Sequence, residues 1–123
     1  HWSAPEVESF IVRNGVRQRA ENAVAARATL LAQLETARSR GFARDEQDYC
    51  AGTRCVASPI FNEWGEPIGA LSISGPAHCM TTDRIERFGG LLVEAASRLT
   101  SLIGGDAVSP PPVDLTARIA AAG

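Results

Sequence analysis

With 123 residues, 45% of them hydrophobic, the chain is long enough for one folded domain and too apolar for an intrinsically disordered protein. All 12 basic residues are arginines, and 14 acidic residues are interspersed among them, for a net charge of -2. This balance excludes the basic surface typical of a nucleic-acid-binding chain, so any DNA contact is expected from another domain. No apolar run is long enough to span a membrane and the N-terminus lacks a signal-peptide pattern, which together predict a cytoplasmic protein.

Two helices are predicted before the first strand. Ser3 to Glu6 has the form of a capping box with proline in the first turn, so a short amphipathic helix is expected from Ala4 to Arg13. Residues Val16 to Ala28 show no clear hydrophobic period, and a connection is expected there. From Thr29 onward, leucines recur on one face as far as the arginines before Gly41, which predicts a second helix.

A β-hairpin is the strongest local pattern in the sequence. A brief strand is expected at Phe42 to Asp45, followed by an acidic loop. Two β-prone runs come next, Arg54 to Phe61 and Pro67 to Ser74, and a polar break that contains a glycine separates them. Such a pair of runs predicts two antiparallel strands joined by a loop of more than two residues.

The register of this hairpin determines which side chains share a face, because side chains alternate along a strand. We expect Phe61 to pair with Ile68, a register that also puts Cys55 opposite Ser74. One face is then entirely apolar and should pack on the core: Val56, Ile60, Leu71 and Ile73. The other face has small side chains, two hydroxyls and a thiol: Cys55, Ala57, Pro59, Ala70, Ser72 and Ser74.

The face of small residues supports two interpretations. It could form the wall of a cavity, since small side chains leave room, and hydroxyls and a thiol offer hydrogen-bonding groups to a small polar ligand. Alternatively, Ser72 and Ser74 face water, as polar residues on the open side of an antiparallel sheet commonly do. Strand alternation taken alone favours the second interpretation.

A third helix is predicted from Asp83 to Ile103, because apolar residues recur there at intervals of three and four. Its apolar stripe is long enough to cover the apolar face of the hairpin. The prolines that follow Ser109 cannot continue a helix and stiffen the chain. We therefore expect a domain at 1–105 and a Pro-rich linker and tail at 106–123.

Neither a catalytic site nor a metal site is predicted, and no cofactor is expected. The three cysteines, Cys50, Cys55 and Cys79, are an odd number, and their spacing to one another and to His78 matches no zinc pattern. No nucleophile, base and orienting group can be named together. Cys55 is the single candidate nucleophile, although a cysteine in a strand more often acts as a small hydrophobic residue.

The chain resembles the C-terminal effector-binding domain of IclR-type bacterial transcription regulators. The resemblance extends from about Pro5 to Gly105 and is most specific between Gly41 and Pro76. The residues that produce it are a helix ending in Arg-Ser-Arg-Gly-Phe, Asp45 before an acidic loop closing on Gly52, the run Arg54 to Phe61, Gly65, and Leu71 to Pro76 before a Thr-Asp-Arg helix start.

This resemblance implies a GAF-like fold of the α/β (α+β) class, an antiparallel sheet flanked by helices, with a small, often carboxylated metabolite as effector. It implies that Asp45, Cys55, Ser72 and Ser74 line the effector pocket. The implied pocket requires the register that puts Cys55, Ser72 and Ser74 on one face. The apolar pattern of the hairpin predicts the same register. Because the two agree, we favour the cavity wall over a sheet face that is open to water. The family also implies dimers or tetramers, and DNA binding through an N-terminal winged helix-turn-helix domain that is absent from this chain.

Compared with the family pattern, the sequence looks like a fragment that is incomplete at its N-terminal side, where the family has its first strands. An incomplete sheet would present an unpaired edge, which predicts either a homo-oligomer or a strand supplied by a segment outside this sequence. Two other functions stay open. One is a stand-alone GAF-like enzyme subunit using Cys55, and the other is a purely structural dimerisation module without a ligand.

Overall fold

The computed structural model describes residues 2–14, 23–48 and 50–106. In chain order, its elements are α1 (Ala4–Asn14), α2 (Ala23–Arg40), β1 (Ala43–Glu46), β2 (Thr53–Phe61), β3 (Pro67–Pro76) and α3 (Thr82–Leu102). Within these residues the strands form one antiparallel sheet in the order β1-β2-β3. The predicted α+β class, helices with an antiparallel sheet, is confirmed. The predicted tail after Asp106 lies outside the described residues, so the domain boundary at residue 105 stays a prediction.

The first helix begins as its capping box predicts. The backbone N–H and the hydroxyl of Ser3 both donate to Oε2 of Glu6, each at 2.7 Å. These hydrogen bonds lower the pKa of Glu6 below its ordinary value. Further along the helix, Val7 is buried against Leu31 of α2, so α1 and α2 form a small apolar cluster of their own.

The second helix begins earlier than predicted. The expected connection from Val16 to Ala28 is wrong over its last residues, because α2 starts at Ala23 rather than Thr29. This segment has four alanines, which favour a helix through low side-chain entropy cost and produce no hydrophobic period. Hydrophobic period therefore gives no indication of this first part of the helix. Residues 16–22 of the predicted connection lie outside the described part of the chain.

The hairpin forms with the predicted register over most of its length and departs from it at the turn. Cys55 pairs with Ser74, as predicted, but Phe61 pairs with Pro67 rather than Ile68. Asn62 explains the shift, since its backbone N–H donates to the carbonyl of Glu66 at 2.9 Å. The turn is therefore one residue shorter than the predicted register requires. Ile60 pairs with Gly69 and Phe61 with Pro67, so a bulge at this point leaves Ile68 unpaired.

The core lies between the apolar face of the hairpin and α3. Val56 and Ile85 are fully buried at its centre, and Leu71 and Ile73 pack against them from β3. The predicted packing of this face under the long helix is therefore confirmed. The first strand runs from Ala43 to Glu46, one residue later at each end than predicted, and Phe42 just before it is buried in this core. None of the described helices is long and apolar enough to cross a membrane.

Candidate functional site

Three of the four predicted site residues form one row across the sheet. Asp45 of β1 pairs with Cys55 of β2, and Cys55 pairs in turn with Ser74 of β3. Directly paired residues share a face, so the carboxyl, thiol and hydroxyl groups project on the same side. Ser72 lies in the adjacent row, opposite Ala57, and on that same side. The structure thus brings all four predicted residues onto one face of the sheet.

The four side chains differ in how far their hydrogen-bonding capacity is already used. Asp45 is half-buried, and its Oδ1 accepts the backbone N–H of Asp48 at 2.7 Å, which stabilises the turn after β1. The Cys55 thiol is half-buried and lies 3.8 Å from the carbonyl oxygen of Val56. Ser72 and Ser74 are exposed, and within the described ranges no protein group hydrogen-bonds their hydroxyls. These two hydroxyls are available to a ligand.

A groove of about 740 Å³ begins beside this face. On the sheet side its lining includes Ala57, Pro59 and Ala70, which are small residues of the same face. The other walls come from the helices and from Trp2 just before α1: Trp2, Val7, Phe10 and Leu34 on one side and Val93 and Thr100 on the other. None of the four predicted site residues is part of this lining. The groove therefore adjoins the polar row without containing it.

This groove was not predicted from the sequence, because its walls depend on how three helices pack around the end of β2. One signal could have indicated it. Trp2 precedes the short first helix and Phe10 lies within it, and two aromatic residues beside so few apolar neighbours indicate a contact surface. In the structure the two rings are in contact, with centroids 5.4 Å apart and planes at 59°.

An ion network on the opposite face holds β1 in place. The guanidinium of Arg54 donates to both carboxylate oxygens of Glu46, each at 2.7 Å, and also to the carbonyl of Met80. Nearby, Glu86 of α3 accepts from Arg40 at 2.9 Å and from Arg44 at 3.3 Å. The bond from Arg54 lowers the pKa of Glu46 below its ordinary value.

This network fixes the position of Asp45, because β1 is four residues long and Asp45 lies between two members of the network. Arg44 and Glu46 both bond on the helix side, so the residue between them must face the other way. The network was not predicted from the sequence. The run of three charged residues from Arg44 to Glu46 is the signal that could have indicated it, since Arg44 and Glu46 must share one face of a strand and Asp45 the other.

The remaining thiols are separate from this face. Cys50 and Cys79 are free and exposed, and Cys55 is free and half-buried. Among the residues that the structure describes, no three or more His, Cys, Asp or Glu side chains are grouped so that they could hold a metal ion. Proton transfer or thiol chemistry on the row would have to use Asp45 and Cys55 alone, without the third, orienting group that such sites normally contain.

The chain is similar to a known family of bacterial transcriptional regulators. Residues 2–101 match the family model for the bacterial transcriptional regulator IclR C-terminal domain. The acetate operon repressor of Salmonella typhimurium is 36% identical over 103 residues, which cover 84% of this chain and 38% of that repressor. The HTH-type transcriptional repressor AllR of Escherichia coli K12 is 33% identical over 99 residues, 80% of this chain and 36% of AllR.

A solved structure supports the same assignment. The Thermotoga maritima IclR crystal structure superimposes with a TM-score of 0.70 at 30% identity, covering 81% of this chain and 40% of that one. The chain spans less than two fifths of the length of the curated relatives named above. Those relatives are transcriptional repressors, not enzymes. A family match over residues 2–101, with the predicted helices and sheet in place, shows that this chain belongs to the IclR family of bacterial transcriptional regulators and corresponds to its C-terminal domain.

Proposed function

We propose that this domain binds a small carboxylated metabolite and thereby controls DNA binding by a helix-turn-helix domain outside the present chain. The regulator acts in the bacterial cytoplasm as a homo-oligomer, and it touches DNA only through that other domain. The single observation that supports the proposal best is the row formed by Asp45, Cys55 and Ser74, with Ser72 beside it on the same face.

The chemistry of the row suits a small ligand with a carboxylate and a second polar group. The hydroxyls of Ser72 and Ser74 are donors without protein partners in the described ranges, and a carboxylate needs such donors. Asp45 has one oxygen in use in its turn, so the other can accept a hydrogen bond from a ligand hydroxyl. Small neighbours such as Ala57 leave room above the sheet for such a molecule.

The adjoining groove limits what kind of ligand fits. Its sheet wall of Ala57, Pro59 and Ala70 is apolar and continuous with the row. A ligand whose carboxylate meets the serine hydroxyls can therefore extend a short carbon skeleton along apolar surface. Affinity is expected to be modest, because Arg44 and Arg54, the arginines of the neighbouring strands, bond on the opposite face and cannot pair with the carboxylate.

The proposal is tested in a full-length regulator that contains this domain. Pyruvate and lactate serve as carboxylated probes, and acetone serves as the matched probe without a carboxylate. DNA affinity should respond to a carboxylated probe and not to acetone. Replacing Ser74 by Leu should abolish that response without affecting folding or DNA binding, whereas Ser39→Leu, at an exposed position of α2, should leave the response intact. A Ser74→Leu variant whose DNA affinity still shifts with the probe would contradict the pocket assignment.

A purely structural dimerisation module without a ligand is the second candidate, in which the exposed Ser72 and Ser74 simply face water. The same experiment separates the two functions, because a structural module would respond to no probe.

The enzyme alternative is separated by thiol alkylation at neutral pH. A catalytic Cys55 should react faster than the exposed Cys50 and Cys79, whereas a pocket-lining Cys55 should react more slowly because it is half-buried.

A further inference from the structure

We propose that the C-terminal tail of this chain covers the apolar groove beside the sheet. The occupant is residues 113–119, called here the tail segment, with the sequence Val-Asp-Leu-Thr-Ala-Arg-Ile. Three properties of the described residues support this assignment: the character of the groove, the place where the chain leaves α3, and two buried polar atoms on α2 that have no partner. The inference goes beyond the proposed function and does not depend on which effector the domain binds.

The groove is a large apolar surface that is open to solvent. Arg38 is the only charged residue among the described residues that line it. Two aromatic residues of the lining remain in contact with water, since Trp2 is 50% exposed and Phe10 is 43% exposed. A continuous apolar surface of this size is typical of a site that another segment or molecule covers.

The chain leaves α3 at the rim of this groove. The backbone N–H of Gly105 donates to the carbonyl of Thr100 at 2.7 Å, and that of Asp106 donates to the carbonyl of Asn62 at 3.0 Å. A Cβ on residue 105 would be 2.1 Å from the carbonyl oxygen of Phe61, so the backbone lies directly against the end of β2. Phe61 and Thr100 both line the groove. The tail therefore starts beside the surface that we propose it covers.

The tail is long enough to reach every part of the groove. Asp114 is eight residues beyond Asp106, and eight extended residues span at most about 29 Å. Three successive prolines in between favour an extended chain. Val113, Leu115 and Ile119 supply the apolar side chains that the groove can bury. Because the tail is tethered at the rim, its effective concentration at the groove is high, and a modest contact energy keeps it bound.

Two polar atoms on α2 indicate what the occupant must provide. One nitrogen of the Arg38 guanidinium, Nη2, donates to the carbonyl of Trp2, but Nη1 is buried and has no hydrogen-bond partner in the described part of the chain. The same is true of Oε2 of Glu35, one turn earlier on α2. A buried charged group without a partner is costly. The occupant is therefore expected to supply an acceptor for Arg38 and a donor for Glu35.

The tail segment has this pair of charges. Beyond Asp106 the chain contains one acidic and one basic residue, Asp114 and Arg118. Pairing Asp114 with Arg38 and Arg118 with Glu35 satisfies both buried atoms, and it requires the tail segment to run antiparallel to α2. The apolar residues beside these charges, Leu115 and Ile119, are then close to the groove. Charge complementarity and apolar burial thus support the same occupant.

Hydrogen exchange of the full 123-residue chain tests the proposal. Amides of residues 113–119 should be protected, and Asp114→Ala should accelerate their exchange at least ~10-fold through loss of a charge-assisted bond. Ser109→Ala, before the tail segment, is the matched control and should change the rates less than ~2-fold. Asp114→Ala should have no further effect in an Arg38→Gln background, because the two residues act as one pair. Additive effects would overturn the pairing.

Quenching of Trp2 fluorescence by acrylamide gives a second readout. Trp64→Phe leaves Trp2 as the only tryptophan. In that background Leu115→Asp should raise the quenching constant about twofold, because apolar surface is uncovered. Ala121→Asp, beyond the tail segment, should leave it unchanged. The tail variants alter no described contact, so they decide the question even if Arg38→Gln disturbs α1.

The other possible occupants give different results. Tail amides that exchange without protection in the wild-type chain would overturn the proposal. Protection of Trp2 that grows with protein concentration would assign the groove to a second copy, and that result would also overturn it. So would protection of Trp2 by added pyruvate or lactate while the tail amides stay unprotected, since the groove would then belong to the ligand.

Discussion

The ring of Phe42 lies directly against Gly89 of α3: a Cβ on residue 89 would be 2.5 Å from Cζ of Phe42. Phe42 is the last residue before β1, and both residues are buried. The absence of a side chain at residue 89 therefore allows the start of β1 to approach α3 closely. This contact holds β1, the strand that contains Asp45, against α3.

Replacing Gly89 by Ala should destabilise the fold by about 1–2 kcal/mol, because the gain in helix propensity is smaller than the cost of displacing a buried ring. Gly90→Ala is the matched control in the same helix. Gly90 is exposed, and a Cβ added there would meet no atom within 4 Å, so that variant should be stabilised by about 0.5–1 kcal/mol. Urea unfolding of both variants gives the free energies. Equal effects of the two substitutions would contradict the packing described for Phe42.

The Arg54–Glu46 pair should make stability depend on pH in the acid range. Arg54 holds the pKa of Glu46 below its ordinary value of 4.5 in the folded state. The unfolded chain, with the higher pKa, binds the proton first as the pH falls. The contribution of the pair is therefore fully present above pH 4.5 and is lost as the pH falls through the folded-state pKa.

Urea unfolding at a series of pH values measures this dependence. Glu46→Gln should be less stable than wild type at neutral pH and should approach it in acid, because the wild-type advantage disappears on protonation. Glu63→Gln, in the exposed hairpin turn, should keep the wild-type profile. A Glu46→Gln variant with the same acid dependence as wild type would show that the Arg54 pair does not contribute.

Asn62 should be the residue that keeps the hairpin turn tight. Its Oδ1 accepts the backbone N–H of Trp64 at 3.0 Å and of Glu66 at 2.9 Å. Asn62→Ala leaves both donors without this partner and should cost about 1–2 kcal/mol. Glu63→Ala, in the same turn, should change the free energy of unfolding by less than about 0.5 kcal/mol. Hydrogen exchange of the Trp64 and Glu66 amides reports the loss directly, and unchanged protection in Asn62→Ala would contradict the assignment.

Features that depend on neighbours along the chain could be predicted from the order of the amino acids. The capping box at Ser3, the hairpin and the long third helix follow from local hydrogen bonding and from hydrophobic period. Even the pairing of Cys55 with Ser74 was predictable, because one register buries the apolar face and a shift by one residue would expose it. The family resemblance indicated Asp45 as a fourth site residue without showing why it lies there.

Features that depend on contacts between distant segments emerged only in the folded chain. The pairing of Asp45 with Cys55 could not be derived from a strand of four residues, since the position of that strand depends on bonds to Arg54 of the next strand and to Glu86 far along the sequence. The groove likewise exists only where helices meet the end of β2. The pattern of residues within one element shows which of its faces is apolar. Which other element packs on that face depends on close packing of the whole chain, and no single segment specifies it.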